Sequence, residues 1–160
     1  MEDNWEFGHV GITVRDIDKT IEYYQALGAT LLDGPAMPDF DLSGWRYYGK
    51  TPTNIKTKSC HLQLGELIFE VHQPVEGESP WTEYLENHGE GVDHINYWVD
   101  DVKSETARMK EKGYDTILSI TEPGDKWVGV FLDTRQHGGV LTELSNKAIV
   151  DANKETWEER

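Results

Sequence analysis

A chain of 160 residues has room for one compact domain, or for two half-size modules sharing a core. Its 15 Lys and Arg stand against 30 Asp and Glu, and the net charge of -15 repels nucleic-acid phosphates and anionic membrane surfaces, so neither is an expected partner. A 37% hydrophobic share with six tryptophans excludes a disordered chain, the lone Cys60 excludes an internal disulfide, and no apolar run approaches a membrane span. "MEDNWEF" lacks the basic and long apolar regions of a signal peptide, so a cytoplasmic location is expected.

In "HVGITVRD" Val10, Ile12 and Val14 alternate with His9, Gly11 and Thr13, the period of a strand with one apolar face. Asp16 then caps a helix whose apolar positions are Ile17, Ile21 and Tyr24, with Gly28 as its stop. "GPAMPDFDLSGWRYYGKTPTN", residues 34 to 54, is rich in Pro and Gly and reads as a long loop. Strands are predicted over 56–64 and 67–73, followed by a linking helix over 79–89 with Ser79 as cap, Pro80 in its first turn and Gly89 as stop. "DHINYWVDDVKSETARMKEKGY" repeats the opening grammar: Ile95, Tyr97 and Val99 share a strand face, Asp101 caps, Val102, Thr106 and Met109 recur at helical spacing, and Gly113 stops the helix. Strands follow over 117–121, 127–133 and 139–145, and 147–160 is a charged tail, helical or disordered.

The two halves are in register. One and the same spacing separates His9 from His94, Val14 from Val99, Asp16 from Asp101, Ile17 from Val102 and Gly28 from Gly113. "GELIFEV" and "GGVLTEL" align at a shorter spacing, setting Glu70 against Glu143, so the first half is the longer one and its surplus falls in the loop over 34–54. Each half reads as a strand, a helix and about three strands. The predicted fold is therefore α+β: two tandem βαβββ modules, about 6–75 and 91–146, forming a curved, partly closed mixed sheet with a central metal site in a single domain over 6–146.

The matched histidines begin the first strand of each half, and the matched glutamates lie on the last. An internal pseudo-twofold axis would bring His9, Glu70, His94 and Glu143 together on the sheet face opposite the helices. Two imidazoles and two carboxylates suit a divalent ion such as Co, Ni, Mn, Zn or Fe. Taken singly, a strand histidine more often satisfies a core hydrogen bond and a strand glutamate more often faces solvent. The repeat shifts the balance by setting the same chemistry at the same station twice. His72 shares the strand face of Glu70 and is a candidate acid or base, against the plainer reading of a buried histidine. His61 and Gln63 have similar standing, His88 and His137 are expected to face solvent, and Cys60 reads as an inert thiol.

"GHVGITVRDIDKTIEYY", "SPWTEYLENHGEGVDHINYWVDDV" and "FLDTRQHGGVLTELSN" resemble the vicinal oxygen chelate superfamily, which includes glyoxalase I, methylmalonyl-CoA epimerases, extradiol dioxygenases and bleomycin resistance proteins. "GEGVDHI" is most similar to the epimerases. The resemblance implies one divalent metal ion per chain held by His9, Glu70, His94 and Glu143, a homodimer, and chemistry through a stabilised enolate, with Glu143 as a candidate proton-moving residue beside the His72 already picked out by its strand face. Epimerases usually carry glutamine where this chain has Glu70, a station at which bacterial glyoxalase I has glutamate. They also carry a glutamate near the position of Thr53 or Asn54. The aromatic and basic cluster Trp45, Arg46, Tyr47, Tyr48 and Lys50 suits the phosphate or carboxylate of a substrate such as an acyl-CoA, or ordinary loop anchoring. The leading expectation is a metal-dependent isomerase or epimerase acting on a small molecule with adjacent oxygens. The alternatives are a glyoxalase I-type lyase acting on a thiol adduct and a resistance-type binding protein that sequesters a small molecule.

Overall fold

The computed structural model describes residues 5–149. Its elements run β1 (Glu6–Thr13), α1 (Ile17–Ala26), β2 (Thr30–Ala36), β3 (Trp45–Tyr47), β4 (Ile55–Leu64), β5 (Leu67–Gly77), α2 (Pro80–His88), β6 (Gly91–Val99), α3 (Val102–Glu111), β7 (Thr116–Glu122), β8 (Lys126–Leu132), α4 (Arg135–Gly138) and β9 (Leu141–Asn146). The fold is α+β with mixed strand pairing, as the repeat predicts. Most of the charged tail falls outside the described residues. Among the described residues no helix is long and apolar enough to cross a membrane.

The chain forms two compact units, one made of His9–Leu42 and Pro52–His94, the other of Ser43–Thr51, the segment up to Gly8 and the chain from Ile95 onward. In the first unit the strand order is β2-β4-β5-β1, with β1 parallel to β5 and the other pairs antiparallel. In the second it is β6-β9-β8-β7-β3, with β9, β8, β7 and β3 antiparallel in turn.

The pleat sorts the side chains as the alternation predicts. Ile12, Val14, Cys60, Leu62 and Val71 turn to α1 and pack on Ile17 and Ile21. In the second unit Val99, Val130, Leu132 and Leu144 pack on Val102 and Met109 of α3. Each such fully buried aliphatic side chain contributes about 1.5–3 kcal/mol relative to exposure. The caps repeat too: Asp16 accepts from the Lys19 amide at 3.1 Å and Asp101 from the Ser104 amide at 3.0 Å.

Two expectations change. Residues 34–54 are not one loop: β2 extends to Ala36, and Trp45–Tyr47 form a strand at the edge of the other unit's sheet, pairing with β7. So short a strand cannot display alternation, and its partner is remote in sequence. The last strand starts at Leu141 rather than 139, because α4 and the left-handed turn at Gly139 (φ +79°) occupy the preceding residues.

Candidate metal centre

The face of the first unit's strands turned away from α1 collects polar side chains at alternate positions, and α2 packs against it where Trp81 stacks on His72. On β1 these are His9 and Thr13, with Gly11 between them; on β5, Glu70 and His72; on β4, Ser59 and His61. The register sets Gly11 and His61 on either side of Glu70, and Thr13 and Ser59 on either side of His72.

Glu70 is the hub. Its Oε2 lies 3.0 Å from His9 Nε2, 2.9 Å from His72 Nε2 and 3.5 Å from His94 Nε2, whereas its Oε1 faces His61 Nε2 at 3.5 Å. His9 Nε2 and His94 Nε2 are 3.2 Å apart. Metal–nitrogen bonds of about 2.0–2.1 Å set neighbouring ligand atoms roughly 3 Å apart, so the spacing of His9, His94 and Glu70 Oε2 fits one divalent ion. The three residues can offer ligand atoms that all lie within 4.8 Å of one another. Borderline nitrogen donors beside a carboxylate suit first-row transition ions better than calcium or magnesium.

His94 is fully buried, and its Nδ1 lies 3.0 Å from Asp93 Oδ2, a contact that fixes the tautomer with Nε2 turned toward Glu70. His61 has the same arrangement: its Nδ1 lies 3.0 and 3.1 Å from the two oxygens of Asp33. Burial works against ionisation of Glu70, yet His72, His9 and His61 together hold its carboxyl well below the usual range. Burial also opposes protonation of His61, but Asp33 and Glu70 raise its pKa to about 10. His72 stacks on Trp81 at 4.4 Å between centroids. Its Nε2 approaches Glu70 off the line a hydrogen bond needs, and its Nδ1 has no hydrogen-bond partner among the described residues.

Glu143 sits on β9 of the other unit, opposite Phe131 in the register with β8. Its Oε1 accepts from Ser145 Oγ at 3.2 Å, and that hydroxyl accepts from Asn96 Nδ2 at 2.8 Å. In the loop cluster, Trp45 is buried, Arg46 donates to the carbonyls of Ser43 and Trp45 at 2.9 and 2.7 Å, and Tyr48 and Lys50 are exposed. His88 and His137 face solvent. Cys60 is buried, and burial, with the charges of Asp33 and Glu70, pushes its thiol up to about 12, so it holds its proton at neutral pH.

Sequence reasoning missed Asp33, Asp93, Asn96, Ser145 and Trp81. Ser145 was open to discovery, since it stands as far beyond His72 as Glu143 stands beyond Glu70. Asp93 was hidden by the alternation rule, which sends consecutive strand residues to opposite faces.

The chain was compared with known proteins. Residues 8–130 match the model of a family described as the glyoxalase/bleomycin resistance protein/dioxygenase superfamily. An uncharacterized protein YqjC of Bacillus subtilis is 23% identical over 138 residues, 85% of this chain and 88% of that protein. A hypothetical protein BH1468 from Bacillus halodurans superposes with a TM-score of 0.63 at 27% identity, covering 89% of this chain and 94% of that one. Methylmalonyl-CoA epimerase from Mycobacterium tuberculosis superposes at 0.61 with 23% identity, covering 88% and 86%. A methylmalonyl-CoA epimerase in complex with methylmalonyl-CoA and an ammonium ion does so at 0.63 with 22% identity, covering 92% and 98%.

Proposed function

This chain belongs to the glyoxalase/bleomycin resistance protein/dioxygenase superfamily, and we propose that it is a divalent-metal-dependent isomerase or epimerase working through an enolate. The proposed substrate is a small molecule with two neighbouring oxygens, an acyl-CoA of the kind bound by the methylmalonyl-CoA epimerases it resembles in fold. The observation that carries this reading is the convergence of His9, Glu70 and His94 at ligand spacing. Glu143 is the proposed fourth ligand. Its repeat equivalence to Glu70 supports that role, as does the Asn96–Ser145 chain that orients its carboxylate.

A bound Co, Ni, Mn, Zn or Fe ion supplies Lewis-acid stabilisation of the negative charge that develops on a carbonyl oxygen as the neighbouring carbon loses its proton. The chain's own residues do the rest. Asp93 holds the His94 ring in its tautomer. The buried imidazoles keep bulk water from the centre, where charge interactions are stronger than in solvent. Glu143 and His72 are the proposed proton-moving groups, a carboxylate and an imidazole, both side chains able to serve in general acid–base exchange. Trp45, Arg46, Tyr48 and Lys50 are the proposed substrate-binding cluster, in which Arg46 and Lys50 supply local positive charge for the anionic part of the substrate in a chain of net charge -15 and the buried Trp45 anchors the segment. A cytoplasmic homodimer is the proposed setting, in keeping with a single buried thiol and with Leu67, Val75 and Val92 exposed.

A second reading, a glyoxalase I-type lactoylglutathione lyase, is favoured by Glu70, a carboxylate where epimerases usually carry glutamine, and by Thr53 and Asn54 near the place of their glutamate. Proton exchange in heavy water, followed by NMR on protein supplied separately with cobalt, nickel, manganese and zinc, separates the two. Exchange at the carbon beside the thioester of methylmalonyl-CoA or a related 2-branched acyl-CoA is the expected result, and its loss in Glu143→Ala with stoichiometric metal also lost supports the ligand role. Exchange only with the methylglyoxal hemithioacetal of glutathione moves the assignment to the lyase. Purified protein that binds no metal overturns both and revives a sequestering binding protein.

A further inference from the structure

Two carboxylate–imidazole pairs meet Glu70 from opposite sides, and they meet different oxygens. Asp93–His94 reaches Oε2, the oxygen that His9 also faces, whereas Asp33–His61 reaches Oε1. Asp33 holds more than the ring, because its Oδ1 also accepts from the His61 backbone amide at 2.8 Å. Side chain and main chain of His61 are thus pinned by one carboxylate. The β2–β4 register sets Asp33 opposite His61, and the ladder is irregular on both sides of Asp33. Such irregularities re-aim a side chain.

The repeat supplies an internal comparison. β4 and β5 pair His61 with Glu70 and Ser59 with His72; β8 and β9 pair Phe131 with Glu143 and Gly129 with Ser145. The station that holds an imidazole beside the first glutamate holds a phenyl ring beside the second. A ligand position alone does not call for this difference, since both glutamates occupy it in the proposed set.

We infer that Asp33 and His61 form a positioning dyad that anchors Glu70 through Oε1 and reserves Oε2 for the metal, making Glu70 the fixed carboxylate of the pair and leaving proton movement to Glu143. His61 acts through Glu70 and is not itself a ligand: His9 and His94 face Oε2, and His61 faces the other oxygen. The inference rests on the metal-binding reading above.

The test uses zinc(II) with the full chain. Affinity is measured by competition with a chromophoric chelator for wild type, Asp33→Asn, His61→Phe and Glu70→Ala. Imidazole 15N shifts are recorded in the zinc-loaded wild type. Removing a partner that orients a ligand lowers metal affinity about 10–100-fold, and that loss is expected for Asp33→Asn and His61→Phe, with Glu70→Ala losing more. The wild-type spectrum is expected to show His61 protonated at Nδ1 with neither nitrogen bound to zinc. Unchanged affinity in both dyad variants overturns the dyad and leaves the metal centre standing. A zinc-bound His61 nitrogen overturns the positioning role in favour of a direct ligand. No zinc binding by wild type overturns the metal reading and the dyad together. The spectrum needs no substitution, so it decides even if a variant does not fold.

Discussion

The imidazole of His94 occupies the space that a side chain at position 11 would need: a Cβ built on Gly11 would lie 1.8 Å from His94 Cε1. Gly11 therefore serves the candidate centre by leaving room for the His94 ring. Gly11→Ala is expected to displace His94 and, like the loss of a residue that orients a ligand, to lower zinc affinity by about 10-fold or more, with the far-ultraviolet circular dichroism unchanged. Chelator competition checks this, and equal affinity would show that His94 is not needed for binding. At this scale the sequence singled out His9, Glu70, His94 and Glu143 as candidates through their repeat, because chemistry duplicated at fixed spacing stands out from a single chain. It did not reveal Asp33 or Asp93. Contacts made by a neighbouring strand, or by the residue next door against the usual alternation, leave no periodic mark.

Helix ends were the most legible elements, since a cap is a local event. Ser79 Oγ accepts from the Thr82 amide at 3.1 Å and lies 3.0 Å from Thr82 Oγ1, and Ser79 itself is buried. Ser79→Ala is expected to destabilise the protein by about 1 kcal/mol, read as a lower urea midpoint with an unchanged m-value; a midpoint within error of wild type would make the cap dispensable. Other helix starts draw on partners far along the chain: the Ile17 amide donates to Gln73 Oε1 at 3.0 Å, a bond no local pattern encodes. The same holds for β3, which forms a strand only because β7 offers it an edge.

At the scale of the whole molecule, a ligand that binds only the folded state raises its stability by mass action. Zinc at roughly 100 times its dissociation constant is expected to add about 2.7 kcal/mol, read as a higher urea midpoint that a chelator reverses. No shift on adding zinc to metal-free protein would mean that the folded state does not bind it. The buried histidines and Glu70 give the reason to expect the shift: the unfolded chain disperses these groups and loses the site.

The α+β class, the helix caps and the apolar faces were readable from the chain alone, because they follow from alternation, helical spacing and local hydrogen bonding. So were the residue types that could hold a metal, because the repeat duplicates them. The crowding of His61 and His72 on Glu70, the orientation of two rings by Asp33 and Asp93, and the joining of residues 45–47 to the other unit's sheet emerge only in the folded chain. Those outcomes depend on which strands become neighbours and in what register, a choice made by packing over the whole chain and carried by no single stretch of it.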